Sequence, residues 1–255
     1  MKSSEALGIS RKIAEEVEKA VNRIAGSKEA GITVAMGKDG TPTKKIDRVA
    51  EDIALEILGE YDLRVVTEES GIVGDGDTTV ALDPLDGTFN ATRGIPFYSI
   101  ALCFSRKKTL DGTFFGYVKN LASGIEYYSD GRSYRDGEPI TTSRAESLEC
   151  NAIIYYPDRK YPFRRMRVFG SSAIEICMVA DGTFDCFIDI RKSENGKGFL
   201  RVFDISASLF IAKNAGAVTS SLDGDDVWEK RFTMDERFRI LVSGENLHRK
   251  LLDVL

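Results

Sequence analysis

The chain has 255 residues, with 35 Lys and Arg against 40 Asp and Glu, a formal net charge of −5 and 42% hydrophobic residues. That length can bury a sizeable core, the composition is ordinary for a folded protein, and the acidic balance leaves no basic footprint for nucleic acid or an anionic membrane surface. No apolar run approaches the roughly 20 residues that a membrane-spanning helix needs, and the charged opening MKSSEALGISRKIAEEVEKA does not read as a signal peptide, so the expected location is the cytoplasm.

Ile13, Val17, Ala20, Val21 and Ile24 recur at helical spacing and predict an amphipathic helix between Ser10 and Gly26. Residues 31–45, GITVAMGKDGTPTKK, carry three glycines and a proline and predict a loop or hairpin. Thr43 is placed to cap a second helix whose buried stripe is Ile46, Val49, Ala50, Ile53, Ile57 and Leu58, with Gly59 as its stop. Asp47 falls in the first turn, where the helix dipole favours an acid, so helix chemistry alone accounts for it at this point. A short strand, LRVVT from Leu63 to Thr67, then runs directly into Glu68-Glu69-Ser70-Gly71.

The stretch VALDPLDGTFN, Val80 to Asn90, ends an apolar run in two aspartates, Asp83 and Asp86. Two carboxylates at the end of a buried strand repel each other unless a cation sits between them, which points to a divalent metal. The competing reading is a surface turn built on Asp-Pro and Asp-Gly. Beyond it, Phe97 to Phe104, Thr113 to Val118 and Ile125 to Tyr128 read as antiparallel strands, and Asn151 to Tyr156, NAIIYY, is an apolar run halted by Pro157. After the basic patch Arg159-Lys160 and Arg164-Arg165-Met166-Arg167, the strand through Val168 enters a Gly170-Ser171-Ser172 turn and a helix from Ala173 to Ala180. An arginine beside a turn at a helix start suits a phosphate. Phe184 to Ile190 alternates into a strand, the segment RKSENGKGF follows at 191–199, and Asp204 opens a helix from Ile205 to Asn214, where it reads as a cap. A strand from Arg239 to Ser243 and a helix from Asn246 to Leu255 close the chain.

Cys103, Cys150, Cys177 and Cys186 show no metal-ligand spacing, and His248 is the one histidine, so zinc and Cys-His chemistry are not expected. The chain has no glutamine and a surface rich in Lys, Arg and Glu, a thermophile bias under which Cys150 and Cys186 could pair if their strands are neighbours. Glu68, Asp83, Asp86 and Asp204 together form an oxygen-only set at element ends. Such donors select Mg²⁺ or Mn²⁺, and with phosphate-binding arginines they point to metal-assisted phosphate-ester hydrolysis.

These same residues carry a resemblance. D-P-L-D-G-T at Asp83 to Thr88, E-E-S at Glu68 to Ser70 and V-F-D ending at Asp204 resemble the motifs of the inositol monophosphatase family, a branch of the magnesium-dependent, lithium-sensitive sugar phosphatases. Within that family the chain looks most similar to the archaeal enzymes combining inositol-1-phosphatase with fructose-1,6-bisphosphatase activity, which serves gluconeogenesis. The resemblance implies an α/β fold with the layered α/β/α/β/α sugar-phosphatase arrangement: one catalytic unit over 1–255, subdivided near 1–145 and 146–255. It implies two or three Mg²⁺ ions, with Mn²⁺ as a possible substitute, held by Glu68, Asp83, the Leu85 carbonyl, Asp86 and Asp204. It further implies that Thr88, hydrogen-bonded to Asp47, orients the attacking water, with Glu68 sharing in catalysis. Asp86 and the Gly87 and Thr88 amides would meet the substrate phosphate. Asp189 would read sugar hydroxyls, while Arg167, Ser172 and Arg191 would hold a second phosphate. Thr41 stands where many relatives carry an acid, which removes a protein ligand for a third metal unless Lys38 or Asp39 acts through water. A homodimer and a small sugar or inositol phosphate substrate are implied as well. The rival readings are a 3′-phosphoadenosine 5′-phosphate or other nucleotide phosphatase and a non-catalytic cation-binding regulatory protein.

Overall fold

The structure, a computed structural model, describes residues 1–38 and 40–255. In chain order the elements are α1 (Ser3–Ile24), β1 (Thr33–Met36), β2 (Pro42–Lys44), α2 (Lys45–Leu58), β3 (Leu63–Thr67), β4 (Gly71–Val73), β5 (Thr78–Asp86) and α3 (Thr88–Arg93). Then come β6 (Ser99–Ser105), β7 (Thr113–Asn120), β8 (Glu126–Ser129), β9 (Ser133–Arg135) and β10 (Glu138–Pro139). The remainder holds β11 (Asn151–Tyr155), β12 (Arg165–Arg167), α4 (Ser172–Ala180), β13 (Cys186–Asp189), α5 (Val202–Asn214), β14 (Ala217–Ser221), β15 (Ile240–Gly244) and α6 (Glu245–Leu252).

Among the described residues an eight-stranded sheet runs in the order β10-β9-β8-β7-β6-β5-β3-β4, and a five-stranded sheet runs β12-β11-β13-β15-β14. Side-chain alternation along the strands decides which layer each face meets. Val80 and Leu82 of β5 join Ile100 and Leu102 of β6 and the α1 and α2 stripes at Ile13, Val17, Ile46 and Leu58. Ala81, Ala101 and Cys103 point the other way, onto α4 and α5 through Ile176, Phe203 and Ile205, with Ile153, Phe187 and Val242 of the second sheet closing that core. The outer face of the second sheet, at Ala152, Ile154 and Leu241, is covered by Leu247 and Leu251 of α6. The layers are therefore α/β/α/β/α.

Most expected elements are present, with shifted ends. The first helix begins at Ser3 rather than Ser10, because Ala6 and Ile9 are buried as well. The glycine-rich segment at 31–45 forms the antiparallel pair β1-β2. Thr43 does not cap α2: it is buried and its hydroxyl donates to Glu69, leaving the cap position to Lys44. Arg165–Arg167 is the strand, and Val168 lies beyond it. All four cysteines are buried free thiols. Cys150 immediately precedes β11, which pairs with β13, and its Sγ is 3.9 Å from that of Cys186. Among the described residues, no helix is long and apolar enough to cross a membrane.

Candidate active site

Strand pairing gathers the acids. β3 runs parallel to β5 with Thr67 opposite Leu82, so Glu68 and Asp83 follow side by side at the end of the β3–β5 ladder. Asp83 shares the parity of Ala81 and therefore faces the α4 and α5 layer. Opposite β6, Asp83 pairs with Ala101 and Asp86 with Ser99, so β5 carries one extra residue between them. Pro84 lies in that bulge, where a missing N–H costs no ladder bond, and the bulge turns Asp86 toward α4. Asp86 Oδ2 there accepts from Ser171 Oγ at 2.8 Å and from the Ala173 amide at 2.7 Å.

Two further acids are placed by the same helix chemistry. Asp204 is the third residue of α5 rather than its cap, and its Oδ2 accepts from the Arg201 amide at 2.7 Å. Asp47 is the third residue of α2, with Oδ2 accepting from the Lys44 amide at 3.1 Å and Oδ1 accepting from Thr88 Oγ1 at 2.7 Å. The capping reading of Asp47 describes one of its oxygens; the other belongs to Thr88. Glu68 lies 3.5 Å from the Arg201 guanidinium.

Glu68, Asp83, Leu85, Asp86, Gly87, Thr88 and Asp204 line a single cleft of about 910 Å³, together with Thr41, Ser172 and Arg191. Gly87 has φ +94°, and a Cβ there would stand 3.1 Å from the Phe97 carbonyl and 3.2 Å from that of Gly170, so the close approach of these backbones requires glycine. Burial holds Asp83 well above the usual carboxylate range, and repulsion from Asp86, Glu68 and Asp204 adds to it. Burial pushes Asp86 up to about 7, against the hydrogen bonds from Ala173 and Ser171, and does the same to Asp204 against the Arg201 amide. Asp47 is pushed up to about 6 by burial, opposed by its bonds from Thr88 and Lys44.

Among the described residues, no three His, Cys, Asp or Glu side chains form a ready ligand shell, since the carboxylates lean on protein donors. The donor set nevertheless suits a hard divalent cation: it is all oxygen, buried, and crowded enough that its members raise one another's proton affinity.

Two of the expected substrate residues stand outside the cleft lining. Arg167 is exposed on β12 and donates to the Met166 carbonyl. Asp189 is fully buried and held by the Arg191 fork, with Nη2 to Oδ2 at 2.6 Å and Nε to Oδ1 at 3.0 Å. Its contact with the cleft runs through Arg191, whose guanidinium sits 4.3 Å from the Tyr155 ring centre. Asp39 lies outside the described residues; Lys38 donates its amide to the Glu69 carbonyl at 3.0 Å.

The sequence reading passed over Arg201, Ser171, Glu51 and Glu175. Glu51 accepts from Thr67 Oγ1 at 2.7 Å, from the Ser70 amide at 3.1 Å and from Ser70 Oγ at 3.0 Å, and so ties down the turn that carries Glu68. A signal for Glu175 was available: it is the one charged residue in the apolar helix SAIEICMVA, and a buried carboxylate needs partners.

A protein of Archaeoglobus fulgidus named fructose-1,6-bisphosphatase/inositol-1-monophosphatase is 57% identical over 256 residues, covering 100% of both chains. A Methanococcus maripaludis bifunctional NADP phosphatase/NAD kinase is 31% identical over 95% of this chain but 48% of its own length. A solved Pyrococcus horikoshii protein, described as having similarities to inositol-1 monophosphatase, superposes with a TM-score of 0.87 at 28% identity, covering 100% of this chain and 99% of that one. Since the model of the inositol monophosphatase family also matches residues 3–255, the chain belongs to that family.

Proposed function

We propose that this chain is a Mg²⁺-dependent phosphoric monoester hydrolase acting on inositol 1-phosphate and fructose 1,6-bisphosphate by in-line attack of water on phosphorus. The observation that carries this reading is the Thr88–Asp47 hydrogen bond at 2.7 Å beside a cleft lined by Glu68, Asp83, Asp86 and Asp204. Those four side chains and the Leu85 carbonyl would hold Mg²⁺. When bound, Mg²⁺ lowers the pKa of a water and neutralises charge on the phosphate oxygens. Thr88 gives its hydroxyl hydrogen to Asp47 and so turns a lone pair toward the attacking water. The water's proton then moves through Thr88 to the Asp47 carboxylate as the oxygen attacks, the P–O bond to the sugar or inositol breaks opposite it, and the departing alkoxide takes a proton from solvent water. Ser171 and the Ala173 amide keep Asp86 in register, and Arg191 offers a fixed cation at the far end for a second phosphate. The dual name of the 57% identical relative supports both substrates.

A nucleotide substrate is the second reading. Phe89, Tyr156 and Phe199 are 68%, 74% and 50% exposed, and all line the cleft. A nucleobase stacks on such rings, and the relatives named NADP phosphatase/NAD kinase fit that chemistry. A Mg²⁺-dependent phosphate-release panel separates the cases, using inositol 1-phosphate, fructose 1,6-bisphosphate, NADP and 3′-phosphoadenosine 5′-phosphate. The first reading expects the two sugar substrates to have the highest kcat/KM. A nucleotide optimum transfers the assignment to the second reading, and no release from any of the four refutes both and leaves a cation-binding protein.

A further inference from the structure

We propose that Glu175 is a positioning residue that locks the two ends of the cleft together, holding the Asp86 side through the 169–171 turn and the Arg191 side through Tyr155. This rests on the phosphatase reading above. Glu175 is 0% exposed, lies in the first turn of α4 and is not among the residues lining the cleft. Its Oε1 accepts from the Phe169 amide at 2.5 Å and the Gly170 amide at 3.4 Å, while Oε2 accepts from the Tyr155 hydroxyl.

On one side, the turn so held is also gripped from α3: Asn90 Nδ2 donates to the Phe169 carbonyl at 2.7 Å and to that of Phe97 at 2.8 Å. Gly170 takes φ +87° there, and a Cβ on it would come within 3.3 Å of Asn90 Nδ2. The next residue, Ser171, places its hydroxyl on Asp86, and Asp86 also takes the Ala173 amide. The bonds to Glu175 thus fix the backbone from which Ser171 reaches Asp86. On the other side, Tyr155 sits opposite Asp189 across the parallel β11-β13 pair. Its ring packs against the Arg191 guanidinium, which Asp189 grips as a fork. One carboxylate therefore anchors both the turn beneath the reacting phosphate and the ring beneath the distal cation. The plain alternative is a buried acid that satisfies two amides and affects stability alone. What distinguishes the two is that the Tyr155 bond leads on to Arg191 at the cleft, so the kinetics below decide between them.

The test compares Glu175→Ala, Glu175→Gln and Tyr155→Phe by thermal melting and by steady-state kinetics on fructose 1,6-bisphosphate and inositol 1-phosphate. Loss of the anchor in Glu175→Ala is expected to lower kcat about 100-fold on both substrates, the scale of a misplacement near 1 Å. Glu175→Gln, whose amide oxygen still accepts from Phe169, is expected to recover kcat to within about tenfold of wild type. Tyr155→Phe cuts only the distal arm, so its effect should fall mainly on KM and be about fivefold larger for the bisphosphate than for the monophosphate. If Glu175→Ala lowers the melting temperature but leaves kcat and KM within about twofold, the positioning role is refuted. It is refuted equally if Tyr155→Phe shifts both substrates alike. Where Glu175→Ala does not fold, the Gln and Phe variants decide on the same kcat and KM split. A wild type that releases no phosphate from either substrate overturns the sugar-phosphate reading itself, and is distinguishable because no variant is involved.

Discussion

Thr88 Oγ1 lies 2.7 Å from Asp47 Oδ1, although 41 residues separate them in the chain. The bond joins the start of α3 to the first turn of α2 and points a threonine hydroxyl into a carboxylate-lined cleft. Asp47→Asn keeps the shape and removes the proton acceptor, so kcat should fall by about 10² to 10⁴, the usual worth of a general base. Because burial raises Asp47 to about 6, wild-type kcat/KM should rise with pH through about 6 as the carboxylate ionises. A pH-rate profile of wild type and variant checks both, and a variant with unchanged activity would remove Asp47 from the mechanism.

The same substitution should stabilise the protein. A carboxylate with its folded value raised from 3.8 to about 6 binds its proton more tightly folded than unfolded, so it costs nothing below pH 3.8 and its cost is complete above pH 6. Asp47→Asn removes that cost, on the order of 3 kcal/mol at pH 7, with the gain developing between the two values. Melting temperatures at pH 4 and pH 8 read it directly: the variant's advantage should be larger at pH 8.

Glu51→Ala strips the acceptor from the Glu69 and Ser70 amides and from the Thr67 and Ser70 hydroxyls. Leaving such buried donors unpaired should cost about 2–4 kcal/mol in chemical denaturation. The turn bearing Glu68 is also released, so the Mg²⁺ concentration giving half-maximal phosphate release should increase. A change in stability without any change in Mg²⁺ response would show that Glu51 does not position Glu68.

Gly87→Ala places a methyl group 3.1 Å from the Phe97 carbonyl and 3.2 Å from that of Gly170, at φ +94°. Strain and crowding should destabilise the fold by about 1–3 kcal/mol. Activity should drop about tenfold or more, since the Thr88 hydroxyl follows directly on the displaced backbone. Melting and kcat measured on the same preparation test the two effects together.

Arg191→Ala should raise KM for fructose 1,6-bisphosphate about tenfold, more than for inositol 1-phosphate, through loss of the fixed fork. It also strands the buried Asp189 carboxylate, which should cost about 3–5 kcal/mol. Adding Asp189→Asn should recover much of the stability and little of the KM. Arg167→Ala, at an exposed position on β12, should change KM by less than about twofold. Equal effects of the two arginines would remove Arg191 from second-phosphate recognition.

Much of this protein was determined by the sequence alone. Local patterns suffice for the helices over Ile13 to Ile24 and Ile46 to Leu58 and for the strand at Leu63 to Thr67, because burial of one stripe or one run decides them. The motif D-P-L-D-G-T and the acids at Glu68 and Asp204 suggest a cation site only when taken together, since a turn or a helix cap accounts for each acid alone. Only the tertiary structure decided which groups meet. Parallel pairing of β3 with β5 brings Glu68 beside Asp83, one extra residue in β5 turns Asp86 onto α4, and burial of α2 against the sheet carries Asp47 to Thr88. It also separated two arginines that look alike in the chain: Arg191 is locked to a buried acid at the cleft, and Arg167 lies on an exposed edge strand. Sheet register and layer packing depend on contacts far apart in sequence, and a local pattern contains no record of them.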